Sequence, residues 1–177
     1  PPGIYAPGLE YGTATPWGTP GIPLSLTGDY YVPFNPNGAT VVWIVSGGWT
    51  SLPLGSLGYI ERVDDVVLPL LQNGYTVFAV HHGDVGLQTF TIGEIASQVT
   101  RALQYARWTA TGANPAMLVG GLDPNRIGVL GLSSGGHLAA LAATHPVAGI
   151  PGSTDPVAQQ PSAVQAVFDF FGPMNMQ

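Results

Sequence analysis

One serine of the chain sits in a pattern that suits nucleophilic catalysis. Ser133 lies between Gly131 and Gly135, after an apolar run and before a run of small residues typical of a helix. A turn that passes directly from strand to helix is so tight that side chains two residues to either side would clash. Such a turn strains the backbone of the serine and holds its hydroxyl clear of the sheet. The pattern predicts a serine that attacks an acyl group, and the alternative is a plain turn in a chain with 25 glycines.

Acyl transfer also needs hydrogen-bond donors for the oxyanion that forms on the carbonyl group. We expect the first donor to be the backbone N–H of Ser134, at the start of the helix. The second is expected from a glycine-rich turn in which Gly47, Gly48 and Trp49 follow an apolar strand and Ser46. Bare glycine backbone lets N–H groups approach a ligand closely. The alternative for this segment is a simple tight turn.

The residues that would activate the serine are harder to identify, and without a base its hydroxyl is a weak nucleophile. His137 lies within the helix and His145 closes it, so we expect both to be structural. His81 and His82 follow a strand, but adjacent residues of an extended chain point in opposite directions, which disfavours a shared metal ion. Asp169 lies near the end of the last predicted strand, and a hydrogen bond to loop backbone is its favoured role.

The elements that must position these residues alternate between strands and helices. Apolar, β-branched runs predict buried strands, and helical spacing, a Thr91–Glu94 capping box and Gly74 after a first helix predict the helices. This alternation is typical of a doubly wound, mostly parallel α/β sheet, which binds ligands at the carboxyl ends of its strands. The predicted strands are 24–32, 40–45, 75–80, the run before Ser133 and 164–171. The predicted helices are 59–73 with a kink or a restart at Pro69, 91–109, and the one ending near His145.

The amino-terminal region differs from the remainder in composition. Residues 1–23 contain six prolines among several glycines. We therefore expect them to form an extended, turn-rich arm along the surface, followed by one domain over residues 24–177.

Composition excludes several classes of protein. The 177 residues carry a net charge of −6 with no lysine, so there is no basic patch for a nucleic acid. No cysteine is present and no apolar run is long enough to span a membrane, so we expect no disulfide and no membrane-spanning segment. No metal or cofactor is implied. The Pro-Pro-Gly start shows no leader and fits a processed, exported protein, so we expect an extracytoplasmic location.

Three ordered motifs together resemble the α/β-hydrolase fold: Ser46–Trp49, 123–129 and 131–139. They are most similar to the esterase/lipase branch, which includes hormone-sensitive-lipase-like enzymes and acetyl-xylan or feruloyl-type carbohydrate esterases. The resemblance extends from about residue 24 onward, and 170–175 resembles the ending of the family's sixth strand. Two positions depart from the family pattern, because Ser46 replaces the usual histidine and Asn175 replaces a frequent aspartate.

The resemblance implies that the acid follows a seventh strand and the histidine an eighth. Some α/β-hydrolases carry the acid after the sixth strand, which makes Asp169 the candidate acid within the chain. We therefore expect a partial α/β-hydrolase domain of strands one to six, lacking the last two. A second chain or a further carboxyl-terminal segment is expected to pair with the strand 164–171, because an apolar edge left open invites aggregation. That partner would supply the base and the acid.

The function expected from these observations is a carboxylic ester hydrolase that acts on a small ester through an acyl-enzyme on Ser133. One alternative is a hydrolase-derived binding or assembly subunit that has lost catalysis. Another is a peptidase of the prolyl-oligopeptidase type, which shares the same serine turn. Four aromatic side chains are candidates for lining a substrate pocket, although packing is the favoured role of each: Trp17, Trp49, Tyr59 and Phe90.

Overall fold

A mixed β-sheet organises the computed structural model, which describes residues 3–17, 21–51, 59, 62–86, 90–117 and 119–175. The strands of these residues lie in the order β1-β2-β4-β3-β5-β6. They are β1 (Gly3–Ala14), β2 (Leu24–Pro33), β3 (Thr40–Val45), β4 (Thr76–His81), β5 (Ile127–Leu132) and β6 (Ala166–Phe170). The helices are a π-helical turn (Val63–Val67) that continues as α1 (Leu68–Gln72), then α2 (Ile92–Ala110) and α3 (Ser134–Thr144).

The apolar run of β3 forms the centre of the sheet. β3 is parallel to β4 on one side and to β5 on the other, and β5 is parallel to β6. Helices cover both faces, which is why β3 is apolar without alternation. Val42 and Ile44 pack into the core beneath α2 and α3, whereas Trp43 and Val45 pack beneath the π-helical turn and α1. The predicted doubly wound, mostly parallel α/β architecture is confirmed.

The amino-terminal region departs from the expected surface arm. Residues 3–14 form β1, which pairs antiparallel with β2 from Gly3 opposite Pro33 to Ala14 opposite Leu24. β2 therefore lies inside the sheet, and β1 is the edge. The pairing shifts register after Ala6, and this irregularity accommodates a proline in the strand. The buried Tyr11 then anchors β1 to the core.

The helices begin and end where local signals predict. The Thr91 side chain accepts from the backbone N–H of Glu94, and the Glu94 carboxylate accepts from the Thr91 backbone N–H, which completes the predicted capping box. Pro69 lies in the first turn of α1, where the π-helical turn gives way to an α-helix, so the expected restart is observed. Gly74, with φ 79°, follows the end of α1.

A buried arginine holds the long loop between α3 and β6 against the domain. Arg107 of α2 donates from Nε to the carbonyl oxygen of Pro161 over 2.8 Å. Its two other nitrogens donate to the carbonyl oxygens of Pro124 and Ala163. Burial lowers the pKa of this guanidinium. One side chain therefore fixes the loops that lead into both β5 and β6.

β6 forms the second edge of the sheet. It pairs with β5 alone, and its apolar side chains are unusually exposed: Val167 by 45%, Phe168 by 54% and Phe170 by 50%. The strand order thus leaves an open apolar edge, as predicted. Within the described ranges, no helix combines the length and the apolar character needed to cross a membrane.

Candidate active site

Ser133 occupies a sharp turn between β5 and α3. Its backbone has φ 54° and ψ −126°, a combination that is rare for a residue with a side chain. A methyl group added at Gly131 would overlap the carbonyl group of Gly135, and one added at Gly135 would lie 2.7 Å from the carbonyl oxygen of Ile44. Both glycines of the pattern are therefore required by close backbone packing.

The strained backbone of Ser133 is hydrogen-bonded on both sides. Its N–H donates to the carbonyl oxygen of Phe170 over 2.9 Å, and its own carbonyl oxygen accepts from the N–H of His137 over 3.1 Å. The end of β6 and the first turn of α3 therefore hold the serine in place.

The first expected oxyanion donor lies at the start of α3. Ser134 is the first residue of this helix, where backbone N–H groups have no partner within the helix. Its hydroxyl lies 3.0 Å from the hydroxyl of Ser46, and both side chains are buried. Ser46, at the position that is usually histidine in the family, thus connects the end of β3 to the start of the helix.

The second expected donor lies in the turn after β3. Gly47 N–H donates to the Thr50 carbonyl oxygen over 2.8 Å, and Thr50 N–H donates back over 3.2 Å. The two central residues, Gly48 and Trp49, have φ of 61° and 57°, as in a type I′ turn. The Gly47 N–H is therefore engaged within the turn, and its role as an oxyanion donor stays a prediction. Gly48 and Trp49 N–H have no hydrogen-bond partner in the part of the chain that the structure describes.

The Trp49 side chain links this turn to α3. Its indole Nε1–H donates to Nδ1 of His137 over 3.2 Å, and the two rings pack edge to face with centroids 5.9 Å apart. His137 therefore has a structural role at its Nδ1 atom, in line with the sequence-based expectation.

The other histidines lie away from the nucleophile. His145 is exposed at the end of α3 and contacts the carbonyl oxygen of Leu141. His81 lies beside Asp29, and His82 contacts the carbonyl oxygen of Gly83 over 2.5 Å. Among the described residues, no histidine is hydrogen-bonded to the hydroxyl of Ser133.

His82 is a buried base with one unused nitrogen. Burial lowers the pKa of its imidazole, although the hydrogen bond to Gly83 opposes this effect. Its Nε2 has no partner in the described part of the chain, and neither has the amide nitrogen of nearby Gln98. The neutral imidazole is therefore the form that the fold favours.

The candidate acid Asp169 lies against the start of α3. Its Oδ1 accepts from the Gly172 backbone N–H over 2.8 Å. A methyl group added at Gly136 would overlap this same carboxylate oxygen. The carboxylate of Asp169 thus explains why position 136 has no side chain. Asp169 bonds loop backbone and, among the described residues, no histidine. Its role as an acid stays a prediction.

The turn Gly47–Thr50 is called the oxyanion turn after its predicted role. A buried network beside it was not found by sequence reasoning. Asp29 is 1% exposed, and its carboxylate meets the His81 ring and the Tyr59 hydroxyl. The only sequence signal was a pair of histidines after a strand. Nothing in the sequence identified their acidic partner, which lies 52 residues away from His81.

Three of the four aromatic candidates for pocket lining lie elsewhere. Tyr59 stacks on Trp43 in the core, and Trp17 is 67% exposed. Phe90 lines a cavity of about 670 Å³ between β1 and α2, whose lining does not include Ser133. Trp49 is the candidate that contacts α3, through His137. Within the described residues, no group of three histidine or acidic side chains is arranged to hold a metal ion.

A protein-family model described as BD-FAE matches residues 29–177. Among solved structures, an acetyl ester-xyloside bifunctional hydrolase from Caldicellulosiruptor lactoaceticus is 25% identical, with a TM-score of 0.69 over 94% of this chain and 56% of that one. A truncated carbohydrate esterase from gut microbiota is 22% identical, with a TM-score of 0.67 over 98% and 58%. An esterase from Thermogutta terrifontis, solved with propionate, is 18% identical, with a TM-score of 0.62 over 97% and 55%.

These relatives are longer than the chain, which spans 56% and 58% of the first two. No curated protein matches it significantly. The neighbours share its arrangement of strands and helices and are esterases of the α/β-hydrolase fold.

Proposed function

Because the chain belongs to the BD-FAE family, an α/β-hydrolase-fold esterase family, we propose that it carries the nucleophile and the oxyanion donors of a serine-dependent carboxylic ester hydrolase. The observation that carries this proposal is the backbone of Ser133, held at φ 54° between two glycines that tolerate no side chain. Strain of this kind persists only where the surrounding structure enforces it.

In the proposed reaction, Ser133 Oγ attacks the ester carbonyl carbon while a base takes the hydroxyl proton. The N–H groups of Ser134 and of Gly48 or Trp49 hold the resulting oxyanion. Collapse breaks the bond to the alcohol, which leaves with the proton from the base and forms an acyl-serine. Water then attacks the acyl-serine by the same steps and releases the carboxylic acid.

The base and its acidic partner are proposed to come from a segment of the protein outside these 177 residues, or from a second chain. Two observations support this idea: no histidine side chain of the described residues is hydrogen-bonded to the Ser133 hydroxyl, and the relatives extend well beyond the matched region. The exposed side chains of β6 give such a segment an apolar edge to pair with. Asp169 is the acid candidate within the chain.

The nucleophile is tested by labelling with a fluorophosphonate, followed by intact-mass analysis and peptide mapping. The protein should be used as isolated from its source, so that the same spectra show any further segment or chain. We expect one adduct on Ser133. Ser133→Ala should abolish the adduct, whereas Ser97→Ala, at an exposed helical serine, should leave it intact.

The substrate class is proposed from the 25% identical relative, which is described as an acetyl ester-xyloside hydrolase. Acetyl esters of a phenol and of a sugar are therefore the first compounds to compare. A preference for the sugar ester would support a carbohydrate esterase.

A non-catalytic binding or assembly subunit is the second candidate. The exposed apolar edge of β6 favours it, because such a surface also suits a protein partner. Absence of any adduct on Ser133 in the isolated material would reject the esterase and support this candidate.

A further inference from the structure

A buried carboxylate lies near the oxyanion turn. Asp29 Oδ1 accepts from the backbone N–H of Gly8 over 2.8 Å, and Oδ2 accepts from the Tyr59 hydroxyl over 2.8 Å. Oδ2 also lies 3.2 Å from Nε2 of His81. Burial raises the pKa of Asp29, but the hydrogen bonds outweigh burial and hold it below its usual value. Asp29 is therefore an anion, and His81 is the group beside it that can carry the opposite charge.

The other nitrogen of His81 reaches the residue that follows the oxyanion turn. Nδ1 of His81 lies 3.4 Å from the hydroxyl of Ser51, which itself donates to the carbonyl oxygen of Val45 over 3.0 Å. Ser51 directly follows Thr50, whose hydrogen bonds with Gly47 close the turn. A chain of contacts thus runs from the buried carboxylate to the base of the turn.

The hydrogens in this chain of contacts can be counted. Asp29 only accepts, so Nε2 of His81 must carry a hydrogen. The single hydroxyl hydrogen of Ser51 points at Val45, so the contact with Nδ1 requires a second hydrogen on His81. Only the protonated imidazole satisfies every contact. A neutral His81 would accept from Ser51 instead, and the hydroxyl would then turn away from Val45.

Other groups surround His81 but do not replace this link. Asp84, from the loop after β4, accepts from the Ser51 backbone N–H over 2.9 Å. The Tyr11 hydroxyl of β1 donates to the carbonyl oxygen of His81, and the adjacent His82 is held neutral by burial. The Tyr59 ring packs 5.3 Å from the His81 ring. Ser51 Oγ is the contact through which a change at the imidazole reaches the turn.

We propose that His81, held by Asp29, is a positioning residue that sets the oxyanion turn through Ser51, so that the protonation of His81 changes the position of the Gly48 and Trp49 N–H groups. The catalytic meaning of this switch rests on the proposed function. The coupling between His81 and the turn does not, because it needs no reaction at Ser133.

The coupling is tested by NMR on the full chain, with 15N-labelled histidine side chains and backbone amides followed together through a pH titration. We expect the amide signals of Gly48 and Trp49 to follow the same midpoint as the His81 ring. In Ser51→Ala, the two amides should no longer follow the ring. His145→Gln, at the exposed end of α3, is the matched control and should leave the coupling unchanged.

Two results would overturn the proposal. One is that the amides stay constant while His81 titrates, and the other is that they still follow it in Ser51→Ala. Ser51→Ala leaves the buried pair intact, so the test survives even if His81→Gln does not fold.

A kinetic test applies to unlabelled protein from a preparation in which Ser133 has been shown to react with the fluorophosphonate. Ser51→Ala is expected to lower kcat with little change in KM and to remove one ionisation from the pH profile of kcat. The fall should stay below the roughly 100-fold that follows loss of a complete oxyanion donor. An unchanged profile contradicts the proposal, whereas absence of the adduct rejects only the esterase and leaves the NMR result to decide the coupling.

Discussion

The indole Nε1–H of Trp49 donates to Nδ1 of His137 across 3.2 Å and so joins the turn Gly47–Thr50 to α3, the helix that follows Ser133. The two residues lie 88 positions apart in the sequence. Trp49 also has a φ of 57°, which a bulky residue adopts only under constraint. The hydrogen bond to His137 supplies part of that constraint.

Trp49→Phe keeps an aromatic ring in the turn but removes this hydrogen bond. We expect the free energy of unfolding to fall by about 1 kcal/mol. We also expect kcat for an acetyl ester to fall while KM changes little, because the loosened turn holds the transition state less well. Trp17→Phe, at an indole that is 67% exposed, is the matched control. Equal kcat values for the two variants would show that the link to His137 does not position the turn.

The sharp turn between β5 and α3 that carries Ser133 is called the elbow. Gly131→Ala tests whether it requires its glycines. The new methyl group would overlap the carbonyl group of Gly135, so we expect a loss of at least about 3 kcal/mol or no folded protein. Gly128→Ala lies in the same strand, where the nearest atoms are 3.6 and 3.7 Å away. That control should stay within about 1 kcal/mol of the wild type. Denaturant unfolding measures both variants, and similar stabilities would contradict the packing described for the elbow.

Arg107→Ala should be among the most destabilising single changes outside the elbow. It leaves three carbonyl groups without their charged donor, at a cost of roughly 3 kcal/mol or more in the free energy of unfolding. Arg107→Lys should recover only part of this loss, since an ammonium group lacks the planar fork of donors. The control is Arg126→Ala, which removes an exposed hydrogen bond to Asn37. Thermal unfolding that ranks Arg126→Ala as equally damaging would refute this account.

His82 predicts how stability depends on pH. Burial lowers its folded-state pKa below the ordinary value of about 6.5, so the unfolded chain binds a proton more readily. The free energy of unfolding therefore rises with pH in the window below about 6.5, and the contribution is complete above it. The lowered folded-state pKa of Asp29 also makes the free energy of unfolding rise with pH, but in a separate window, below about pH 4.

His82→Asn can still donate to the Gly83 carbonyl group but does not titrate. The difference in unfolding free energy between about pH 7.5 and about pH 5.5 should therefore be smaller in this variant than in the wild type. His145→Asn, at an exposed position, should retain the wild-type difference. An unchanged pH dependence in His82→Asn would show that another group controls acid stability in this range.

The fold was predictable where the signals were local. The apolar run of β3, the Thr91–Glu94 capping box and the glycines around Ser133 each encode their element within a few residues. β1 was missed because the six prolines of residues 1–23 suggested a surface arm, whereas its pairing with β2 depends on distant partners and on a register shift.

The site was predictable to a similar limit. Ser133 and the turn at Gly48 follow from motifs. The bond that occupies Gly47 and the network of Asp29, His81 and Ser51 do not, because they depend on side chains brought together by the completed sheet. The hydrophobic periodicity of a sequence does not reveal such contacts.

The turn after β3 and the start of α3 are far apart in the sequence, and this separation has a consequence for biosynthesis. Ser46 meets Ser134, and Trp49 meets His137, each across 88 residues. Contacts of such long range form only after large loops have closed. A nascent chain synthesised only as far as α2 therefore contains the turn at Trp49 but lacks α3, which this turn contacts. The contacts between this turn and α3 therefore form only after β5, which pairs with β3, has been synthesised.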